Sequence, residues 1–396
     1  MQVTVRQGDS LWYYSQLFKL TLRLLLDSNR QINPNQLYSG QTLQIPGFVT
    51  TSYTIVSGDS LWSIAQSRNL SVDAIQLVNP NVNPTTLQVG QQIVIPIRVT
   101  WRVVNGKQAY DFETMQVDIQ QLSTIYPFII QSSIGDSVMG KPITELRIGN
   151  GSKRVHMNSS FHANEWITTP IMMQFLNDFL LALTNNGSME GVDLEQIYQN
   201  VLLSSVPMVN PDGVNLVLHG PPQQEPYRSN VIEMNNGDLD FSNWKANIRG
   251  VDLNNQFPAK WEIERQRKAQ EPGPRDFAGP APLSEPEAAA MANLTRQRDF
   301  SRVNAFHTQG RVIYWGFENQ QPPQAEAIVN EYANVSGYQP VRTVDSYAGY
   351  KDWFIQEYNR PGYTIELGKG TNPLPLSQYN QIYRAARGIM LANLYL

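Results

Sequence analysis

The chain has 396 residues, of which 41% are apolar and 16% charged, and a formal net charge of −4. That length predicts two or more domains, and the composition is that of a folded globular protein. The absence of cysteine excludes disulfides, thiolate metal sites and a cysteine nucleophile. No lysine or arginine block marks a nucleic-acid or membrane-surface partner, so a neutral polymer suits this surface better.

The first residues, Met-Gln-Val-Thr-Val-Arg-Gln-Gly-Asp, carry no basic segment leading into an apolar stretch, so no signal peptide is expected as numbered. The apolar run 20–26 is broken by Arg23 and is too short to span a bilayer.

An internal repeat follows. Gln7-Gly-Asp-Ser-Leu-Trp12 returns as Ser57-Gly-Asp-Ser-Leu-Trp62, and Ser39-Gly-Gln-Thr-Leu-Gln-Ile-Pro46 returns as Val89-Gly-Gln-Gln-Ile-Val-Ile-Pro96, both 50 residues on. Asn33-Pro-Asn35 is matched with Asn79-Pro-Asn81. Such spacing predicts a duplicated unit. Each copy reads as strand, helix, helix, strand. First strands are expected over 3–6 and 53–56, and Ser10 and Ser60 are placed to cap the helices that follow. A second helix is expected over about 71–78 in the later copy, and closing strands end at Pro46 and Pro96. Segments 47–52 and 97–100 read as linkers.

The Gly-Asp-Ser-Leu-Trp turn, the Asn-Pro-Asn loop and the closing Gly-Gln-x-Ile-x-Ile-Pro strand resemble the LysM module across nearly all of 1–97. The resemblance implies binding of N-acetylglucosamine polymers, peptidoglycan or chitin. It assigns that contact to Gly58, Asp59, Ser60, Asn79, Pro80 and Asn81, and to Gly8, Asp9 and Ser10 in the first copy. The first copy is less regular. Tyr13-Tyr14 replaces Ser63-Ile64, and Leu24-Leu25-Leu26 is apolar enough to pack on a neighbour. The expected modules are 1–47 and 52–97.

From residue 101 onward the texture changes. Strand-like runs at 155–161, 201–208, 303–307 and 363–367 alternate with helical stretches such as 168–183, which predicts a single α/β domain over 101–396 with a mixed sheet. Residues 268–286 are rich in Pro and Gly and read as a surface loop. Ser284-Glu-Pro-Glu287 then has the form of a capping box that starts a helix.

The chain holds four histidines: His156, His162, His219 and His307. His162 and Glu165 follow one apolar strand, and His307 ends another. Strand carboxyl ends are where open α/β sheets bind ligands. On its own, His-x-x-Glu fits a chance surface pair, and a lone strand-end histidine fits a satisfied core residue. Together, two imidazoles and a carboxylate make a catalytic zinc set that leaves a position open. Glu366 lies between Ile365 and Leu367, where an unpartnered carboxylate would be unfavourable unless it had chemical work.

Six segments, in order, resemble the zinc carboxypeptidase family. They are His162-Ala-Asn-Glu165, Val209-Asn-Pro-Asp-Gly213, Arg249-Gly-Val-Asp-Leu-Asn254, Ser284-Glu-Pro-Glu287, His307 and Thr364-Ile-Glu-Leu367. The resemblance implies an eight-stranded mixed sheet between helices. It implies one zinc per chain on His162, Glu165 and His307, with Glu366 as general base and acid. Trp244-Lys-Ala-Asn247 matches the stretch where the family carries an arginine, which gives Lys245 the oxyanion-stabilising role. Asn254-Asn255 stands where carboxypeptidases have Asn-Arg, so the arginine that holds a terminal carboxylate is missing. Arg249, Asn254 and Asn255 remain the expected substrate contacts, with Tyr347 as the candidate for the tyrosine over the primed pocket. Lys351 sits where the family selects the side chain after the scissile bond, and as a cation it would suit a diaminopimelate carboxylate.

The two halves together resemble the bacterial γ-D-glutamyl-diaminopimelate peptidases of this family, known from spore-forming bacilli. They imply a peptidoglycan hydrolase located at the wall, on the spore or in the sporulating cell. The rival readings are a carboxypeptidase or amidase acting on another peptide, and a non-catalytic wall or spore-coat binding protein. Oligomeric state is not legible.

Overall fold

The computed structural model describes residues 1–185 and 187–396. Two compact units are present: one comprises Met1–Val103, Ile119–Ile130 and Asn177–Leu194, the other the remainder.

In the first unit, each repeat is a two-stranded antiparallel sheet with two short helices. The first copy runs β1 (Gln2–Thr4), α1 (Leu11–Phe18), α2 (Leu22–Ser28) and β2 (Thr42–Gln44). The second runs β3 (Phe48–Thr54), α3 (Leu61–Gln66), α4 (Val72–Leu77) and β4 (Gln92–Arg98). Ser10 and Ser60 cap α1 and α3 as expected, accepting from Tyr13 N and Ser63 N. Most of the two segments read as linkers is instead strand, 48–52 and 97–98: β3 and β4 pair over their full length, from Phe48↔Arg98 to Thr54↔Gln92. Their alternation was short, but pairing with each other satisfies the backbone of both.

The repeat register also needs correction. Asn79 is 8% exposed; its Nδ2 donates to Ile75 O at 2.7 Å and Val94 O at 2.6 Å, and its Oδ1 accepts from Val94 N at 2.8 Å. Asn29 makes the same three bonds to Leu25 O, Gln44 O and Gln44 N. Asn29 is therefore the counterpart of Asn79. Asn33 and Asn83 are counterparts too, each accepting from the backbone N–H two residues on. The uniform offset of 50 residues holds throughout, and the match of 33–35 with 79–81 was a coincidence of composition.

The irregularities of the first copy have a packing cause. Leu24 and Leu25 are buried, and Ala74 and Leu77 of the second copy join the first copy's core. Arg6 makes a two-point pair with Asp73 at 2.7 and 2.9 Å, and Tyr13 donates to the same carboxylate. Tyr13 replaces Ser63 because here the side chain must reach the neighbouring repeat.

The remaining elements are α5 (Phe112–Ile125), β5 (Ile130–Asp136), β6 (Pro142–Gly149), β7 (Lys153–Ser159), α6 (Thr168–Asn185), β8 (Ser188–Met189), β9 (Val192–Asp193), α7 (Leu194–Asn200), β10 (Val201–Val206), α8 (Pro211–His219), α9 (Tyr227–Met234), α10 (Trp261–Arg267), α11 (Pro286–Arg298), β11 (Arg302–Thr308), β12 (Val312–Tyr314), α12 (Gln324–Ser336), β13 (Gln339–Val341), α13 (Tyr350–Tyr358), β14 (Gly362–Leu367) and α14 (Tyr379–Tyr395). Eight strands form one mixed sheet in the order β13-β12-β14-β11-β7-β10-β6-β5. The central strands β14, β11, β7 and β10 are parallel.

All seven residues of β11 are buried, so both faces of the sheet are covered. Val303 and Ala305 pack with Ala288 and Met291 of α11 and Tyr350 and Trp353 of α13. On the opposite face Asn304 meets Tyr332 of α12, and Arg302 donates to Asn393 of α14. The alternation of the strand thus divides two helical layers. Pro286 occupies the first turn of α11 as expected, but no capping box forms. Glu285 is the N-cap and makes no side-chain cap bond, because Ser284 donates instead to Gln256. No helix among the described residues is long and apolar enough to cross a membrane.

Candidate metal centre and active site

β7 ends at Ser159 and is followed by Ser160, which holds a left-handed φ of 51°. Such a backbone conformation persists where its surroundings enforce it. Ser160 N donates to Thr168 Oγ1, and its hydroxyl bonds those of Thr168 and Thr169. The chain then forms a single 3₁₀ turn, Ala163–Glu165, which puts His162 and Glu165 on one side. The Val209–Gly213 segment clamps this turn. Asn210 donates to Phe161 O and Ala246 O while capping α8, and Ala163 N donates to Lys245 O. A Cβ at Gly213 would meet Asn210 and Ala163 within 2.8 Å, so only glycine allows that closeness.

His307 enters from β11. Its Nδ1 lies 3.1 Å from His162 Nδ1 and 3.0 Å from Glu165 Oε2, and His162 Nδ1 lies 2.8 Å from Glu165 Oε1. All three residues are at most 5% exposed. Two imidazole nitrogens converge on each other and on one carboxylate, a crowding that a shared cation relieves. Donor atoms of a tetrahedral ion bound at about 2.0–2.1 Å stand roughly 3.3 Å apart, close to what is seen. Among the described residues this is the one group of three or more His, Asp or Glu side chains with metal-holding geometry.

The surroundings orient the trio. His162 Nε2 lies 3.1 Å from Asp252 Oδ1, a fully buried carboxylate, and Thr308 N donates to Glu165 Oε2. Carboxylates behind a ligating imidazole fix its tautomer and ring angle. Burial alone would lower the His162 pKa, but Glu165 and Asp252 together outweigh it and raise it to about 9. His307 is lowered, burial being the main cause. Burial opposes ionisation of Glu165, yet the two histidines hold it well below the usual carboxylate range.

Glu366 stands beside this group by strand register, since β11 and β14 pair His307 with Glu366. Burial, then repulsion from Glu165, raises its pKa to about 8. That is the range in which a carboxylate can exchange protons near neutral pH. Lys245 lies 2.8 Å from Asp252 Oδ2. Burial would lower its pKa, but Asp252 and Asp276 raise it, so the ammonium stays charged.

The other expected substrate contacts are less uniform. Asn254 Oδ1 accepts from Tyr350 N at the start of α13, and Asn255 is 6% exposed in the same turn as Asp252. Arg249 is half-exposed and lies 3.5 Å from Glu285. Tyr347 stacks edge-on with Phe317 beneath Lys260 and Arg267, lining a small cleft with Val344 rather than joining the trio. Lys351 requires correction. It is 3% exposed, donates to Gly316 O at 2.9 Å and pairs with Asp352. It is a buried, partnered cation and not one open to a substrate carboxylate.

Sequence reasoning missed Asp252 and the Asn210 clamp, although both lie inside quoted segments. A lone acid between Val251 and Leu253 was the available signal.

Comparison with known proteins agrees with this geometry. The zinc carboxypeptidase family model matches residues 115–388, and the LysM domain model matches 3–46 and 53–96. The chain is 65% identical to the γ-D-glutamyl-L-diamino acid endopeptidase 1 of Lysinibacillus sphaericus over 396 residues, the whole of both chains. Rat carboxypeptidase B is 24% identical over 65% of this chain and 62% of its own. Bovine thrombin-activatable fibrinolysis inhibitor, solved with a tick carboxypeptidase inhibitor, shares the fold at a TM-score of 0.57 and 17% identity, covering 73% of this chain and 97% of its own. The chain therefore belongs to the zinc carboxypeptidase family, as a metallopeptidase that carries two LysM domains ahead of its peptidase fold.

Proposed function

We propose that this protein is a peptidoglycan hydrolase that cuts the bond between γ-D-glutamate and the diamino acid of a wall stem peptide. The observation that carries this reading is end-to-end similarity, at 65% identity, to an endopeptidase named for that cleavage. Residues 1–47 and 52–97 act as glycan-binding modules and 101–396 as the peptidase domain. The modules favour association with the cell wall. Within them Gly8 and Gly58 hold left-handed φ of 86° and 89°, while Asp9 and Asp59 brace the turn by accepting from the N–H of residues 6 and 56. Those turns, together with exposed Pro80 and Asn81, form the glycan face, with Asn79 acting from behind as a brace. Trp12 and Trp62, 64% and 66% exposed beside the turns, extend it with apolar surface.

His162, Glu165 and His307 would hold one zinc ion. Bound there, zinc supplies Lewis acidity that polarises a scissile carbonyl and acidifies water. Glu366 takes a proton from the attacking water and returns it to the leaving amine. Lys245 faces the oxyanion that develops on the carbonyl. The absence of an arginine at Asn255 removes the fork that would hold a terminal carboxylate, which favours cleavage within the stem over removal of its last residue.

The test is mass spectrometry of purified muropeptides after incubation with the enzyme. Release of a peptide beginning with the diamino acid supports the proposal. Loss of a single terminal residue would point to a carboxypeptidase, and binding without release to a passive wall protein.

A further inference from the structure

We infer that Asp276, in the Pro- and Gly-rich loop over the site, is a positioning residue that sets the direction of the Lys245 ammonium. The inference rests on the proposed role of Lys245 as the cation facing the oxyanion. Lys245 Nζ lies between two carboxylates: Asp252 Oδ2 at 2.8 Å and Asp276 Oδ1 at 3.5 Å. Asp252 is fully buried and already committed to His162. Asp276 is the second anchor, and its own position is tightly determined.

Three backbone bonds fix the loop on either side of it. Lys245 N and Ala246 N both donate to Pro274 O, at 2.8 and 3.0 Å, and Asp252 N donates to Phe277 O at 2.8 Å. Phe277 and Ala278 are buried, which seats the loop. Asp276 itself holds a left-handed φ of 66°, and Arg275 Nε donates to its Oδ2 at 3.0 Å. The carboxylate is thus turned with one oxygen toward Arg275 and the other toward Lys245.

The physical reason lies in the choice of lysine. An arginine presents a planar fork whose geometry is set by its own bonding, whereas an ammonium is a point charge on a four-carbon stem with three rotatable donors. The two carboxylate charges, at 2.8 and 3.5 Å, hold the ammonium from two directions and so fix which side of it stays open to a substrate oxygen. Asp252 alone would define a distance but not a direction. Asp276 supplies the direction, and Arg275 offsets the added negative charge beside it.

The experiment is a double-mutant cycle on the zinc-loaded full chain, with a soluble γ-D-glutamyl-diaminopimelate muropeptide as substrate. Asp276→Asn is expected to lower kcat on the order of tenfold, since small misplacement of a catalytic group has effects of that size or larger. KM, metal content and Tm should stay close to wild type, and Asp276→Glu should recover part of the loss. In a Lys245→Ala background Asp276→Asn should have no further effect. A wild-type kcat in Asp276→Asn, beside a reduced kcat in Lys245→Ala, would overturn the inference while leaving the role of Lys245 intact. An equal loss in both backgrounds would also overturn it, by showing a merely structural loop. An unchanged kcat in Lys245→Ala would instead sink the reading of Lys245 itself.

Discussion

Glu366 is the proposed proton carrier, and its hydrogen bond to Arg311 N is made by the backbone carbonyl, so a side-chain substitution leaves the strand intact. Glu366→Gln keeps shape and volume and removes only the proton acceptor. It should lower kcat by about 10²–10⁴-fold, the usual contribution of a positioned acid–base group, while metal content by atomic absorption stays at wild-type level. A variant that loses metal as well would mean that Glu366 holds the ion rather than the proton. A second residue-scale prediction concerns His156, which is fully buried, bonded through Nδ1 to Ser204 and stacked on Phe300. Burial depresses its pKa to about 3. The unfolded chain, with an imidazole pKa of about 6.5, binds that proton first. The His156 contribution is therefore present above pH 6.5 and is lost as pH falls from there toward 3. In denaturant titrations of the metal-free protein between pH 6.5 and 5, wild type should lose up to about 1.4 kcal/mol per pH unit more than His156→Gln. Equal slopes would place the imidazole in water.

Among the elements, the LysM repeats depend on one asparagine each. Asn79 ties the end of α4 to β4 by three hydrogen bonds, as Asn29 ties α2 to β2. Asn79→Ala leaves buried backbone groups without partners and should destabilise the second module by about 2–4 kcal/mol. Hydrogen exchange resolved to segments should register the loss first in residues 72–98, whereas Asn81→Ala, at an exposed position, should leave protection unchanged. Protection unchanged in Asn79→Ala would mean that these three hydrogen bonds do not hold the module together. The same element scale explains which parts of the sheet were legible. The apolar runs at 303–307 and 363–367 identified β11 and β14, because strands covered on both faces read as continuous hydrophobic stretches. β12 and β13, three residues each at one edge, carry too little pattern to be read. Within the expected linkers, 48–52 and 97–98 are strand because pairing with each other, not local propensity, makes them regular.

At the scale of the whole molecule, a metal held by the folded trio, as proposed, would link catalysis to stability. The three donors converge only when β7, β11 and the 3₁₀ turn are in place. A ligand that binds only the folded state raises stability by mass action, about 4 kcal/mol when present at a thousandfold excess over its dissociation constant. Removing metal with a chelator should abolish peptide cleavage and lower Tm by several degrees, and stoichiometric zinc should restore both. His162→Ala should erase that zinc-dependent shift in Tm. A shift that persists in His162→Ala would place the stabilising ion elsewhere.

Sequence by itself determined the duplicated module and the α/β class of the second part, and it singled out the three side chains that the fold brings together as a group able to hold a metal. These are local properties. A strand-end histidine, a His-x-x-Glu turn and a Gly-Asp-Ser-Leu-Trp turn are each written in a few consecutive residues. Only the tertiary structure decided what those residues touch. It turned Asn79 from a presumed glycan contact into a brace, and buried Lys351 against Gly316 and Asp352. It also made Asp252 a shared partner of His162 and Lys245. Each of these outcomes depends on burial and on a charge or carbonyl brought in from a distant segment, and neither quantity is a property of the residues near it in the chain.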